Sequence, residues 1–297
     1  MKLVILGTTS GVPTKQRNHM SMFLSVKNVG ILIDCGEGTQ TQLKKAGISF
    51  SKINKILLTH WHGDHVFGLP GLLSSMGLAE YSETLEIIGP KGTKNYLENM
   101  ANSFEGKFGV NIKVTERTLE KIVYENDDFK IISLPLVHGK ASQGYRIEEN
   151  PVVKIRKEVI DKYKIPSSPL MKKLQEGKDI VYEGKKITAK EATYLEPGKI
   201  FSVVLDTRLC DNAYKLCKDA DLAVLESTYL PDLQKKATEY EHLTVQDACK
   251  IANESGVKKL VLTHFSPRYK NLNDIKESAQ SFFENVVIAE ELMEITF

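Results

Sequence analysis

One stretch limits the possible folds of this chain more than any other: KILLTHWHGDHVFG, from Lys55 to Gly68. An apolar run ends at Thr59 and is followed at once by His60, Trp61, His62, Gly63, Asp64 and His65. The chain has only seven histidines in 297 residues, and three of them fall within these six positions. A buried strand that carries such groups must deliver them at its end, onto a tight loop held by rigid neighbours. There His60 and His62 can turn their imidazoles to one point, while Asp64 and His65 reach a second point a few ångströms away. Neutral imidazole and carboxylate suit zinc and similar divalent ions. A lone loop histidine is usually just a polar residue, but HxHxDH directly after a strand is a metal-ligand pattern.

The rest of the chain is consistent with strands feeding one site. Short runs rich in Val, Ile and Leu read as strands: KLVIL at Lys2, MFLSV at Met22, GILID at Gly30, KILLT at Lys55, LEIIG at Leu85, FKIISLPLV at Phe129, FSVVLD at Phe201, LAVLE at Leu222, KLVLTH at Lys259 and ENVVIA at Glu284. Helical periodicity appears in TQTQLKKAG, VFGLPGLLSSMG, GTKNYLENMANSF and DNAYKLCKDA. It recurs in TVQDACKIANESG, with Thr244 as N-cap, and in NDIKESAQSFFEN, with Asn273 as N-cap. Strands and helices alternate, but the first strands follow one another without helices between them. That favours an α/β (α+β) chain folded as a four-layer αββα sandwich, mixed sheets inside and helices outside.

Six strands carry a metal-competent or proton-transferring residue at their C-terminal end: Asp34, His60, His138, Asp206, Glu226 and His264. Together they imply one polar site along an edge of the sandwich. Two ions ~3.5 to 4 Å apart can activate one water and stabilise both the attacking and the leaving oxygen. Seven ligands suffice: His60, His62 and His138 for the first ion, Asp64, His65 and His264 for the second, and Asp206 between them.

Composition excludes several classes. With 41% hydrophobic and 26% charged residues the chain is globular. The run in MKLVILGTTSG is too short for a signal-peptide core, and no run approaches the ~20 apolar residues of a membrane helix. Cys35, Cys210, Cys217 and Cys249 form no CxxC pair and read as reduced, buried side chains, which suits a cytoplasmic protein. No membrane and no organic cofactor are expected. The formal net charge is +2, yet residues 154–190 carry ten Lys and one Arg against five acids, a local +6. By itself such a run is most simply a solvated helix face.

THWHGDH resembles the signature of the metallo-β-lactamase superfamily. Further segments resemble one branch of it, the short form of ribonuclease Z (tRNase Z), the endonuclease that trims the 3′ trailer from precursor tRNA. They are LGTTSGVPTKQRN, ILIDCGEGTQ, PLVHGKASQGYRI, VVLDTR, LESTY with HLT downstream, and THFSPRY, and they span nearly the whole chain. HxHxDH identifies only the superfamily, whereas PTKQRN and HFSPRY are much more specific. The resemblance implies a zinc-dependent endoribonuclease with two Zn2+ per subunit, Mn2+ or another divalent ion being an alternative. Its products would be a tRNA 3′-hydroxyl and a 5′-phosphorylated trailer. It also implies a homodimer whose partner is precursor tRNA.

The same resemblance assigns roles residue by residue. Pro13, Lys15, Arg17 and Asn18 would lie beside the cleavage site, Asp34 would orient a ligand histidine, Asp64 would accept a proton, and Glu226 with His242 would deliver one. Within a single domain of residues 1–297, residues 151–197 would form an inserted basic arm that grips the tRNA elbow. Lys154, Arg156, Lys157, Lys172 and Lys173 are its candidate phosphate contacts. In this context the local +6 reads as an RNA-binding footprint. The chain departs from the family pattern at His19, Leu205 and Leu225, and has Ser168-Pro169 where Gly-Pro is usual, with every proposed ligand retained. Two other readings are a small-molecule phosphodiesterase or arylsulfatase of the same superfamily, and a non-catalytic RNA-binding protein, which would typically have lost ligands.

Overall fold

Along the strand Lys2–Gly7, alternate residues point to opposite faces, and both faces are buried: Leu3 and Ile5 on one side, Val4 and Leu6 on the other. A sheet built from such strands must be covered twice. In the computed structural model, which describes residues 1–116, 122–139, 141–166 and 168–297, it is. Leu3, Ile5, Met22, Ile31 and Ile33 pack in one core with Phe129, Ile131, Tyr145, Phe201 and Val203 of a second sheet. Val4, Leu6, Leu32, Ile56 and Ile87 pack in another with Leu43, Leu72, Leu73, Met76 and Leu97 of the helices Thr39–Lys45, Leu69–Leu78 and Thr93–Asn102. The second sheet is covered by Asp211–Cys217, Val245–Glu254 and Asn273–Phe282. The layering is the expected αββα sandwich.

Among the described residues each large sheet has seven strands. The first runs Glu294–Thr296, Lys2–Gly7, Ser21–Val26, Val29–Ile33, Lys55–Leu57, Thr84–Gly89, Asn111–Glu116. The second runs Val286–Ile288, Leu260–Thr263, Leu222–Glu226, Ile200–Val204, Ser142–Glu149, Phe129–Leu136, Ile122–Glu125. The last four strands of the first sheet are parallel, and so are the first four of the second. Parallel strands release their chains at one common edge, where α/β proteins build sites. Tyr145 ties the two sheets together near that edge: its hydroxyl lies 2.6 Å from the Leu58 carbonyl oxygen and 3.0 Å from that of Ile88.

Some local expectations are corrected. Asn273 is the first helical residue and not the N-cap, which falls at Leu272; the Asn271 carboxamide accepts from the Asn273 N–H instead. VFGLPGLLSSMG breaks into Gly63–Val66 and Leu69–Leu78. The intervening Gly68 is required, because a Cβ there would sit 2.2 Å from the Gly36 carbonyl oxygen. All four cysteines are free, but Cys210 is only half-buried. No helix among the described residues is long and apolar enough to cross a membrane.

Glu149–Gly198 forms a second compact unit. It contains the antiparallel pairs Val152–Ile155 with Thr193–Glu196 and Ile180–Tyr182 with Lys185–Ile187. Its helices Lys157–Tyr163, Pro169–Gln175 and Ala189–Ala192 close over a small core of Val159, Ile165, Leu174, Ile180, Ile187 and Ala192. Ser168-Pro169 starts a helix, with proline at the first position, where its missing N–H is harmless.

Candidate functional site

Three residues just past their strands adopt left-handed backbone: Asp34 at φ 55°, Asp206 at 35° and His264 at 59°. Such conformations are uncommon away from glycine and cluster where a site fixes a side chain's direction. All three are buried. They bring together His60, His62, His138 and Asp206 in one group and Asp64, His65 and His264 in a second; Asp206, His242 and His264 also converge.

Hydrogen bonds fix which nitrogen each imidazole offers to the centre. The Asp34 carboxylate accepts from the Thr59 N–H and hydroxyl, both 2.8 Å, and from His65 Nδ1 at 2.7 Å. With the Thr59 proton so committed, its oxygen accepts from His60 Nδ1 at 3.1 Å. His138 Nδ1 donates to the Glu241 carbonyl at 3.0 Å. Thr228 gives its proton to Glu226 Oε2 at 2.6 Å and accepts from His264 Nδ1 at 3.0 Å. Each ring therefore turns its bare Nε2 inward.

Those four nitrogens surround one carboxylate. His60 and His138 Nε2 are each 3.6 Å from Asp206 Oδ2, while His65 and His264 Nε2 are 3.3 and 3.1 Å from Oδ1. His65 and His264 Nε2 are only 3.2 Å from each other, and His138 Nε2 is 3.1 Å from His62 Nδ1. Buried His60 Nε2 and Asp206 Oδ1 have no hydrogen-bond partner. Lone pairs packed against a carboxylate require positive charge. A proton is one source: burial opposes it, but Asp206 and Asp34 hold His65 well above the usual histidine range. Burial pushes His60 well below that range, so a proton does not relieve it. A divalent ion relieves every group at once. Tetrahedral ligands ~2.0 to 2.1 Å from zinc lie roughly 3.3 to 3.4 Å apart, close to the separations seen here. The residues fit a metal.

Other predicted residues flank this cluster. Asp64 Oδ2 accepts from the Gly11 N–H at 2.7 Å and lies 3.6 Å from both His65 and His264 Nε2. Burial would raise its pKa, but these histidines hold it below the usual carboxylate range. His242 Nδ1 is 3.1 Å from both oxygens of fully buried Glu226. Burial disfavours its charge, yet the Glu226 carboxylate lifts its pKa to about 9. A cleft of about 620 Å³ opens over His62, Asp64, His138, Asp206, His242 and His264.

The PTKQRN loop is only partly available to a ligand. Pro13 and Lys15 are exposed. Arg17 is turned inward, donating to the Tyr269 carbonyl at 2.7 Å, and desolvation lowers its pKa. Asn18 binds Glu291 through its backbone N–H at 3.0 Å and its side chain at 3.1 Å. In the second unit Lys157, Lys172 and Lys173 are exposed, Lys154 pairs with Glu196 at 2.5 Å, and Arg156 lies over the Tyr194 ring. Sequence reasoning missed Thr59, Thr228 and Glu291. The threonines have a faint signal, Thr59 preceding His60 and Thr228 lying two after Glu226, whereas Glu291 has none. His19 is buried, its Nε2 lying 3.2 Å from the carbonyl of Gly11, whose N–H holds Asp64.

Imidazoles gathered about one aspartate at the strand ends of an αββα sandwich define the metallo-β-lactamase class of metal-dependent hydrolases. A ribonuclease Z of Enterococcus faecalis is 39% identical over 307 residues, covering 100% of this chain and 98% of that protein. A ribonuclease Z of Saccharolobus islandicus is 36% identical over 297 residues, covering 100% and 99%. The crystal structure of human tRNase Z, short form, superposes with a TM-score of 0.73 at 27% identity, covering 100% of this chain and 99% of that one. The metallo-β-lactamase fold protein YhfI of Bacillus subtilis, at 17% identity and TM-score 0.72 over 99% and 98%, shares the fold. A family model described as Anti-Pycsar protein Apyc1 matches residues 1–148, a span that stops before Asp206, His242 and His264. The chain belongs to the ribonuclease Z family. It is a hydrolase with a divalent-metal site.

Proposed function

We propose that this chain is a zinc-dependent endoribonuclease that removes the 3′ trailer from precursor tRNA. The observation that carries the reading is 36% to 39% identity to proteins named ribonuclease Z, with both chains covered almost end to end. His60, His62, His138 and Asp206 would hold one ion, and Asp64, His65, His264 and Asp206 the other. Two bound divalent ions supply Lewis-acid charge and a water acidic enough to act as nucleophile near neutral pH.

The chain's own groups do the rest. The water oxygen bonds to the phosphorus, and Asp64, fixed by the Gly11 N–H, takes the proton that is released. As the bond from phosphorus to the 3′ oxygen breaks, His242 gives that oxygen a proton, held ready by Glu226. The products are a tRNA 3′-hydroxyl and a trailer 5′-phosphate. Pro13 and Lys15 contact the RNA beside the cleft, while Arg17 and Asn18 shape the loop that carries them. The basic insertion, residues 151–197, binds phosphates of the tRNA body through Arg156, Lys157, Lys172 and Lys173, with Lys154 shared with Glu196. Incubation with a 3′-extended precursor tRNA tests this: cleavage at a single position, abolished by chelator, is expected. Hydrolysis of a small phosphodiester without cleavage of the precursor would overturn the assignment.

A further inference from the structure

Two cavities meet at the metal cluster, and the mechanism uses only one. The second, of about 370 Å³, shares His62, His138 and Gly139 with the main cleft but is otherwise lined by different residues, among them Trp61, Tyr96 and Lys91. That volume is within the range of small-ligand sites. Trp61 stands between His60 and His62, and its indole N–H donates to Thr93 Oγ1 at 3.0 Å. The Thr93 hydroxyl in turn donates to the Pro90 carbonyl at 2.7 Å, so the indole is locked in place. Tyr96 lies against it, ring centroids 5.0 Å apart and planes 32° apart, and remains 42% exposed. A pair serving only the core would be covered. This pair forms a rigid, half-open aromatic wall beside the cluster, with the exposed Lys91 at its rim.

The geometry points to a stacking subsite for the first nucleobase of the trailer, the one 3′ to the scissile phosphate. The placement rests on the endonuclease reading. An endonuclease must seat RNA on both sides of the bond it breaks. His242, which protonates the departing 3′ oxygen of the tRNA body, lines the large cleft and not the small one. The body's last nucleotide therefore occupies the large cleft. The nucleoside joined to the reacting phosphorus through its 5′ oxygen leaves in a different direction from the body, and the adjoining cavity offers it a flat apolar surface in Trp61 and Tyr96 and, in Lys91, a cation for a following phosphate. Every base has a π-face, so the subsite would hold the trailer with little regard to sequence.

Trp61 is the chain's sole tryptophan, and its emission therefore reports this pocket alone. The probe is a 5′-phosphorylated dinucleotide, compared with the same molecule abasic at its first position, titrated into the full-length metal-loaded protein. Stacking of one base strengthens binding by roughly 5- to 150-fold. The base-bearing probe should quench Trp61 and bind at least about 5-fold more tightly than the abasic one, and Tyr96→Ala should narrow that ratio. Equal affinities, or no change in emission with either probe, would overturn the subsite. Precursor cleavage by the same preparation separates the two readings. Cleavage without discrimination between probes removes only the subsite, whereas failure to cleave removes the endonuclease reading itself.

Discussion

Replacement of Asp34 by asparagine should disable the metal site while leaving the fold nearly intact. Asp34 is fully buried and accepts three hydrogen bonds, two from Thr59 and one from His65 Nδ1. Its left-handed φ of 55° is one that asparagine tolerates. In Asp34→Asn the remaining carbonyl oxygen can still accept from the Thr59 N–H, and the Thr59 hydroxyl can reverse. The new NH2 group, however, faces His65 Nδ1 as a donor and forces that nitrogen to be the acceptor. The His65 proton then moves to Nε2, the atom 3.3 Å from Asp206 Oδ1 and 3.2 Å from His264 Nε2, where a metal would be bound. Loss of such a support typically weakens metal binding by about 10- to 100-fold. Stability of the metal-free protein should fall by only about 1 kcal/mol, the reversed Thr59 hydroxyl no longer pairing with the His60 Nδ1–H. Asp34→Ala differs: three buried donors are orphaned at about 1 to 3 kcal/mol each, at least ~3 kcal/mol together. Chelator-competition titration measures the first effect and urea unfolding of metal-free protein the second. Wild-type metal affinity in Asp34→Asn, or equal destabilisation by the two variants, would refute the reasoning.

Four further outcomes follow from the same structure. Asp206→Ala should lose at least one ion and nearly all cleavage, read by elemental analysis alongside activity, because Asp206 faces four inward nitrogens. His242→Ala should retain its metal while kcat falls by ~10² to 10⁴-fold; loss of metal would make His242 a ligand. Replacing exposed Lys172 and Lys173 by alanine should reduce the log-log salt slope of precursor tRNA binding by about 1.4 to 1.8, two phosphate contacts' worth, without changing hydrolysis of a small phosphodiester. Far from the metal cluster, burial would raise the Glu86 pKa, but Lys55 at 2.6 Å and Lys113 at 3.1 Å hold it below the usual value. Its stabilisation is therefore present above the unfolded pKa of about 4.3 and lost as pH falls through the lower folded value. Glu86→Gln should cost about 3 kcal/mol at pH 7, and the difference from wild type in denaturant melts should shrink below pH 4.

The sandwich was legible because its central strands are continuous apolar runs, buried on both faces, and because several of them lead directly into an ionisable residue that an interior holds only with charged or hydrogen-bonded partners. His60, His62 and His65 stand out since metal chemistry concentrates rare residue types in a short span. Elements whose partners lie far away in sequence were not legible. Ser142–Glu149 reads as polar, yet Gln143 and Arg146 are buried against specific carbonyls: Leu58 for the first, Leu216 and Lys218 for the second. Asn111–Glu116 escaped notice because an edge strand keeps charged residues on its half-exposed face. Arg17 and Asn18 look like solvated turn residues until Tyr269 and Glu291, more than 250 residues on, capture them. The roles of Thr59 and Thr228 depend on where a hydroxyl proton points, which follows from three-dimensional partners and not from local pattern.

The central claim, that this site breaks the bond between a tRNA body and its trailer on the 3′-oxygen side, is tested most directly by the chemistry of the two new ends. A precursor tRNA with a 3′ trailer, labelled at both termini, would be cleaved to completion and both fragments examined for terminal phosphate. The expected result is a tRNA body ending in a 3′-hydroxyl and a trailer beginning with a 5′-phosphate, since His242 protonates the 3′ oxygen and the attacking water remains on phosphorus. A 3′-phosphate or cyclic phosphate on the body, with a 5′-hydroxyl on the trailer, would contradict it.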